Sequence, residues 1–320
     1  MKCLCCGKVI KDTAADKEKK NRWHSKCIKN FFGTTQMPIL DLSEEKLEEL
    51  ASMTVNKGLT VPGVQKKLSL HLSDDAEARL TIVDYPTGYI LKPQTAEYDS
   101  LPEYEHLAMN LAETAGIQTV PHALMRVSGQ YVYITKRIDR EIKKDSMKLY
   151  AMEDFCQISN RLTQDKYKGS YENCGRIIKK YSIHPGLDLS ELFLRTAFSF
   201  VIGNSDMHLK NFSLIESNPA GRQFSLSKAY DILPVNMILP EDEEQLALTL
   251  NGKKKNIRKK DFFVFARSLE LPEKSAENML KKLCKLKEKF LEQCDESYLS
   301  AEQKTDMKEL IVQRIEIITI

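Results

Sequence analysis

The sequence predicts an α+β protein of two lobes, the first rich in strands and the second mainly helical, with a small cysteine-containing segment ahead of them. Three observations predict it. Leu68, Leu70 and Leu72 alternate with polar residues on a period of two, as a half-buried strand requires. Leu189, Leu192, Phe193, Thr196, Ala197 and Phe200 recur on one helical face. Three of the eight cysteines crowd into Cys3, Cys5 and Cys6, while the later ones are scattered. The boundaries that follow are a Cys/His segment over 1–38, a first lobe over 39–150 and a helical lobe over 151–320.

Taken in order, Ser43 before Glu44 and Glu45 is a helix N-cap with acidic residues in the first turn, and Leu47 and Leu50 supply its apolar face. Beyond the strand at Leu68, further strands are expected at 78–83, 88–92, 124–127 and 131–136. Between them Leu107, Leu111 and Ala115 trace a helix that Gly116 can end. In the second lobe the helix over 189–200 runs into the segment Asn204-Ser205-Asp206-Met207-His208-Leu209-Lys210-Asn211. Farther on, Leu280, Leu283, Leu286, Phe290 and Leu291 share one helical face, opposite Lys281, Lys282, Lys285 and Lys289.

Length and composition fit an enzyme without demanding one. The 48 basic and 45 acidic residues nearly cancel, so no global charge calls for nucleic acid or a membrane surface. No apolar run approaches the roughly 20 residues of a membrane-spanning helix, and the start of the chain has no apolar signal core. A soluble cytoplasmic protein in a reducing compartment is expected; export without a cleaved signal would leave no mark in the sequence. Lys253-Lys254-Lys255 and Arg258-Lys259-Lys260 lack interleaved aromatics and read as a solvated loop or a docking patch for an acidic partner, not as direct nucleic-acid contacts.

The spacing with most chemical content is Asp206-x4-Asn211, followed by the short apolar strand 212–215 and then Tyr230-Asp231. Phosphoryl transfer needs a carboxylate near the acceptor hydroxyl, an amide oxygen for a hard Mg²⁺ ion, and a second carboxylate on metal bridging the ATP phosphates. Asp206, Asn211 and Asp231 offer these in order, and His208 and Lys210 place positive or hydrogen-bonding groups near the transferred phosphate. The alternative is that Asn-Ser-Asp only opens a turn. Upstream, Gly63 can let backbone approach phosphates, or be an ordinary strand-entry turn. Lys92 can reach the α- and β-phosphates with Glu105 holding its ammonium, or the two can be a surface pair. Residues 135–140, with Lys136, Arg137 and Ile138, can recognise adenine through backbone groups at a hinge, or form a solvated charge cluster.

Taken together, Gly63-Val64-Gln65-x-Lys67-Leu68, Ile90-Leu91-Lys92-Pro93, Glu103-Tyr104-Glu105-His106, residues 136–140, Gly203 through Phe212, and Tyr230-Asp231 strongly resemble the HipA family. The resemblance covers roughly Asn56 to the C-terminus. It implies a two-lobed serine/threonine protein kinase, dependent on ATP and Mg²⁺, that acts as the toxin of a bacterial toxin-antitoxin pair on protein substrates such as an aminoacyl-tRNA synthetase. By motif, Asp206 is the catalytic base, Asn211 and Asp231 the metal ligands, Lys92 the phosphate-binding lysine, and Val64, Gln65 and Lys66 line the phosphate loop. Relatives control themselves by phosphorylating a serine before this loop; Thr60 stands at that position, and Pro62 fills the position of a second serine. The stretch before Thr60 is too short for the subdomain of long members, which implies the short HipT-like form. Its partners would be a HipS-like small protein and a HipB-like DNA-binding antitoxin. A kinase-fold protein that holds nucleotide or an antitoxin without efficient transfer is the other class of function; the joint presence of Lys92, Asp206, Asn211 and Asp231 argues against it.

Outside that resemblance, Cys3-x2-Cys6 and His24-x2-Cys27 are two ligand pairs separated by 17 residues, a spacing compatible with structural Zn²⁺. Cys5 can replace either neighbour. The alternative is a set of reduced cysteines on a helical hairpin with His24 exposed.

Overall fold

The computed structural model describes residues 1–40, 67–73, 78–81, 86–143 and 146–319. The chain divides into two compact units, one of residues 1–106 and 120–149, the other of 107–119 and everything from Tyr150 onward. The fold is α+β, with most strands in the first unit and most helices in the second. The helix expected after Ser43 lies outside the described residues.

The first unit begins with two short helices, α1 (Asp16–Asn21) and α2 (Ser25–Phe32). Its sheet contains β1 (Ile39–Leu40), β2 (Leu68–Leu72), β3 (Arg79–Thr81), β4 (Tyr89–Lys92), β5 (His122–Val127) and β6 (Gln130–Lys136), in the order β1-β3-β2-β4-β6-β5. All neighbouring pairs are antiparallel except β1 with β3. The period of two in β2 buries Leu70 completely and leaves Ser69 exposed, since successive side chains leave opposite faces. A separate hairpin, β7 (Arg140–Lys143) with β8 (Ser146–Leu149), has no counterpart among the expected strands. Helix α3 (Leu101–Ala115) starts in this unit and continues in the second, ending at Gly116 with φ +88°.

The second unit opens on β9 (Met152–Asp154) and α4 (Phe155–Ile158), followed by α5 (Tyr171–Tyr181) and α6 (Pro185–Ile202). Proline at the first turn of α6 removes a donor that would have had no partner there. The helix then buries almost its whole length, from Leu192 to Ile202. A small antiparallel sheet of β9, β10 (Ser213–Glu216) and β11 (Phe224–Leu226) brackets the catalytic-loop candidate. Five further helices complete the unit: α7 (Val235–Ile238), α8 (Lys259–Ser268), α9 (Glu273–Lys285), α10 (Lys287–Glu296) and α11 (Ala301–Thr319). The apolar face read across 280–291 is divided between α9 and α10, which meet at Leu286. Its core is aromatic, with Phe193 stacked on Phe265 and Phe200 edge-on to Phe262. No helix among the described residues is long and apolar enough to cross a membrane.

Candidate active site

Helix α6 ends at Gly203, whose φ of +71° turns the chain out of the helix. The Asn204 side chain accepts from the Asp206 N–H at 3.1 Å, and the His208 N–H donates to the Asp206 carbonyl at 2.8 Å. The turn chemistry read from Asn-Ser-Asp is therefore present, and it is the means by which Asp206 is displayed. A short 3₁₀ turn over Leu209–Asn211 carries the chain into β10. Tyr171, fully buried in α5, donates from its hydroxyl to the Met207 carbonyl and anchors the middle of the loop.

The Asn211 amide nitrogen donates to the carbonyls of Asp206 at 3.0 Å and Asp231 at 3.5 Å. These two acceptors fix which way the amide faces and leave its oxygen as the group available to a cation. Asp231 has φ +59°, a left-handed conformation that a non-glycine residue holds only where the surrounding structure imposes it. Tyr230 donates to the Lys210 carbonyl at 3.0 Å and accepts from Ser213, so its hydroxyl braces the loop from within.

Burial is the largest influence on Asp206 and pushes its carboxyl up to about 7; the negative charges of Asp231 and Asp242 add to it, while Tyr167 and Lys166 oppose it. His208 is pushed down to about 4, first by burial and then by Lys166, so at neutral pH it is an uncharged imidazole. That narrows the expectation for His208 to hydrogen bonding, with its ring edge-on to Tyr167. Lys210 donates to Asp154 at 2.7 Å, which ties the loop to the start of α4.

Two contributors carry no signal in the sequence. Tyr167 donates to Asp206 Oδ1 at 2.5 Å, and Lys166, buried beside it, has its ammonium 4.9 Å from the Tyr167 ring. The Lys166 carbonyl accepts from the Leu209 N–H, which holds the 163–168 loop against the catalytic loop. Below the loop, Ser205 donates to Asp242 at 2.6 Å, and Asn236 donates to the carbonyls of Asp242 and Glu244. Tyr167 stands in a mixed polar stretch, Thr163 to Lys168, with no periodicity to mark it.

In the first unit, Lys92 at the end of β4 donates to Glu105 in α3 at 2.6 Å. The two side chains are 7% and 1% exposed, so the pair is internal and not a surface contact. Residues 136–140 form a half-buried cluster: Arg137 and Arg140 both grip Asp139, and the Arg137 N–H donates to the Gly88 carbonyl. Lys136 turns toward the Phe31 carbonyl at 3.4 Å, and Ile138 is half-buried. Thr60, Gly63, Val64, Gln65 and Lys66 lie outside the described residues.

The first three lysines of the basic run have acidic partners within the second unit. Lys253, Lys254 and Lys255 pair with Asp261, Glu244 and Glu243 at 2.8, 3.0 and 2.7 Å. In the first unit, the ligand atoms of Cys3, Cys6, His24 and Cys27 lie within 4.8 Å of one another, and Cys5 is not part of that group.

Residues 59–290 match the model of the HipA-like C-terminal domain. The chain belongs to the HipA family. The match includes both the Lys92 strand and the loop from Gly203 to Asn211. Among curated relatives, the candidate kinase Y4dM of Sinorhizobium fredii (strain NBRC 101917 / NGR234) is 32% identical over 232 residues, 67% of this chain and 54% of that protein. A candidate kinase of Haemophilus influenzae (strain ATCC 51907 / DSM 11121 / KW20 / Rd) is 26% identical over 189 residues, 56% of this chain and 54% of its own length. The chain thus spans about half the length of the curated relatives it matches. Among solved structures, the HipA–HipB–operator DNA complex of Shewanella oneidensis MR-1 contains a chain that matches with a TM-score of 0.71 at 18% identity. That match covers 87% of this chain and 72% of the other. The Helicobacter pylori proinflammatory kinase CtkA matches with a TM-score of 0.54 at 14% identity, covering 75% and 87%. The two likenesses place this HipA-family chain in the two-lobed kinase-like fold.

Proposed function

We propose that the protein is an ATP- and Mg²⁺-dependent serine/threonine protein kinase and that it serves in the cytoplasm as the toxin of a toxin-antitoxin pair. The observation that carries the reading is the polar cluster of Asp206, Asn211 and Asp231, with the Asn211 amide oriented by the carbonyls of the other two. Mutual repulsion among Asp206, Asp231 and Asp242 is the condition that a bound divalent cation relieves, so the residues suit Mg²⁺. Asn211 and Asp231 would hold Mg²⁺, which would neutralise charge on the phosphates of ATP, the source of the γ-phosphoryl group.

The remaining work falls to the chain's own side chains. Asp206 accepts the proton of the substrate hydroxyl, and Tyr167 keeps its carboxylate in one orientation. Neutral His208 offers a hydrogen bond without competing for that proton. Lys92, fixed by Glu105, holds the α- and β-phosphates. Residues 136–138 contribute backbone groups to adenine, and Gly63 through Lys66 form the phosphate loop. Thr60 is the site of self-phosphorylation.

The family membership and the HipB seen with the Shewanella oneidensis HipA support a HipB-like DNA-binding antitoxin as partner. A HipS-like small protein, the short HipT-like form and an aminoacyl-tRNA synthetase as substrate rest on the motif resemblance alone. The test is incubation of the full chain with γ-labelled ATP and Mg²⁺, with Asp206→Asn as control and mass spectrometry to locate the phosphate. Transfer by the wild type and none by Asp206→Asn is expected. Labelling by Asp206→Asn sinks the assignment of the base, and nucleotide binding without transfer by the wild type leaves a binding protein. An unmodified Thr60 beside phosphate elsewhere overturns the self-phosphorylation site.

A further inference from the structure

The kinase reading leaves the N-terminal cysteines unused, and their geometry is specific. The turn Cys3-Leu4-Cys5-Cys6-Gly7 closes with the Gly7 N–H donating to the Cys3 carbonyl, and Gly7 has φ +69°. That turn sets Cys3 and Cys6 on one side. His24 stands at the residue before α2 and Cys27 follows about one turn later, which places the second pair at the start of that helix. His24 Nδ1 is 3.4 Å from Cys6 Sγ and 3.9 Å from Cys27 Sγ. With zinc–sulfur bonds of about 2.3 Å, the edge of a tetrahedral site is about 3.8 Å, so the four ligand atoms already stand near its corners.

Two further contacts point the same way. His24 Nε2 lies 3.3 Å from the Val9 carbonyl, and because a carbonyl only accepts, Nε2 carries the hydrogen. The lone pair of the neutral ring is then on Nδ1, the atom facing the sulfurs; a backbone partner on the other nitrogen is the usual way a metal-bound histidine is oriented. The His24 N–H also donates to Cys3 Sγ at 3.4 Å, which joins the two ligand pairs through the backbone. Three sulfurs and an imidazole are soft and borderline donors, which suit Zn²⁺ and not the oxygen-seeking Mg²⁺ of the kinase centre.

What the cluster holds in place is visible on the strands of the same unit. Strand β5 is at the edge of the sheet, and both outward backbone groups of Leu124 are taken by the N-terminal segment. Its N–H donates to the Leu4 carbonyl, and its carbonyl accepts from Trp23 Nε1, each at 3.0 Å. Leu4 lies between Cys3 and Cys6, and Trp23 immediately precedes His24. Phe31 and Phe32 pack against Trp23 and against Tyr89 of β4, the strand that ends in Lys92.

We propose that Cys3, Cys6, His24 and Cys27 hold one structural Zn²⁺ ion, and that this ion staples the N-terminal segment onto the edge of the sheet that carries Lys92. The site is closed by four protein ligands and takes no part in transfer. Trp23 is the sole tryptophan in the chain and is fully buried, so its fluorescence reports the staple directly.

The experiment uses the full chain prepared under reducing conditions without chelator. Metal analysis is expected to find about one zinc per chain, lost in Cys6→Ser and Cys27→Ser and retained in Cys284→Ser. Cobalt(II) added to the chelated wild type is expected to give the intense visible bands of a tetrahedral thiolate site. Zinc removal is expected to red-shift Trp23 emission and zinc re-addition to restore it. Absence of stoichiometric zinc together with absence of the cobalt bands overturns the site, as does undiminished zinc in both serine variants. Zinc that leaves without moving Trp23 emission overturns the staple. Because re-addition is done on the wild-type chain, a variant that fails to fold does not decide the result.

Discussion

The Tyr167 hydroxyl donates to Asp206 Oδ1 at 2.5 Å, from a loop that is itself bonded through the Lys166 carbonyl to Leu209. A phenol that gives its hydrogen to a carboxylate stabilises the ionised form. At Asp206 this opposes burial, the stronger influence, and the carboxyl remains near 7. Tyr167 therefore both orients the oxygen lone pairs and sets how much of Asp206 is ionised at neutral pH.

Tyr167→Phe removes that hydrogen bond while keeping the ring against His208. A bond to a charged acceptor contributes about 1.5–3 kcal/mol, so the Asp206 value is expected to rise by about one pH unit or more. A carboxyl-carbon NMR titration of the metal-free protein measures this. The proposed transfer is expected to fall about tenfold at pH 7, with part of the loss recovered at pH 9. An unchanged Asp206 titration excludes the positioning role.

Asp206 also weakens the fold when ionised. Its folded value of about 7 lies above the ordinary carboxylate value of about 3.9, so its contribution to stability is complete below the ordinary value. That contribution is lost as pH rises through about 7. Asp206→Asn is therefore expected to stabilise the protein without metal or nucleotide by about 1–3 kcal/mol at pH 8, and by much less at pH 4. Denaturant unfolding at the two pH values checks it; a variant less stable than wild type at pH 8 contradicts the burial account.

Lys92 and Glu105 are each buried and meet at 2.6 Å, so removal of one takes a close opposite charge away from the other in the first unit. Lys92→Met is expected to cost about 3 kcal/mol or more, and Lys92→Met with Glu105→Leu together to cost less than Lys92→Met alone. Equilibrium unfolding of the two single variants and the double variant gives the coupling. Strictly additive losses would show that the 2.6 Å contact contributes little.

The residues themselves reveal many of the strands and helices and the polar spacing of Asp206-x4-Asn211, because periodicity and polar spacing are local. The alternation at Leu68 to Leu72 and the stripe from Leu189 to Phe200 each become one element. What is not local is not legible. Tyr167 reaches Asp206 from 39 residues away, and Asp242 reaches Ser205 from 37, with nothing at either position to mark it. The lysines at 253–255 read as a solvated run because their acidic partners, Glu243, Glu244 and Asp261, are set opposite them by the fold. The break at Leu286 is likewise hidden, since an apolar face continues through it while the chain changes helix.

Gly203 offers a test of how strictly the loop depends on the end of α6. Its φ is +71°, and a β-carbon there would stand 2.5 Å from Leu310 Cδ2 and 3.3 Å from Asn236 Cβ. The left-handed backbone alone costs a non-glycine residue about 1–2 kcal/mol. Leu310 can swing its methyl aside, but Asn236 is held by the Asp242 and Glu244 carbonyls, so pressure there reaches the Ser205–Asp242 contact. Gly203→Ala is therefore expected to destabilise the second unit by about 2 kcal/mol and to lower the proposed transfer beyond what the unfolded fraction explains. Chemical denaturation gives the first quantity and labelled-ATP transfer per folded molecule the second. Full transfer per folded molecule would show that the loop geometry is set downstream of Gly203, at the Tyr171–Met207 and Asn211 anchors.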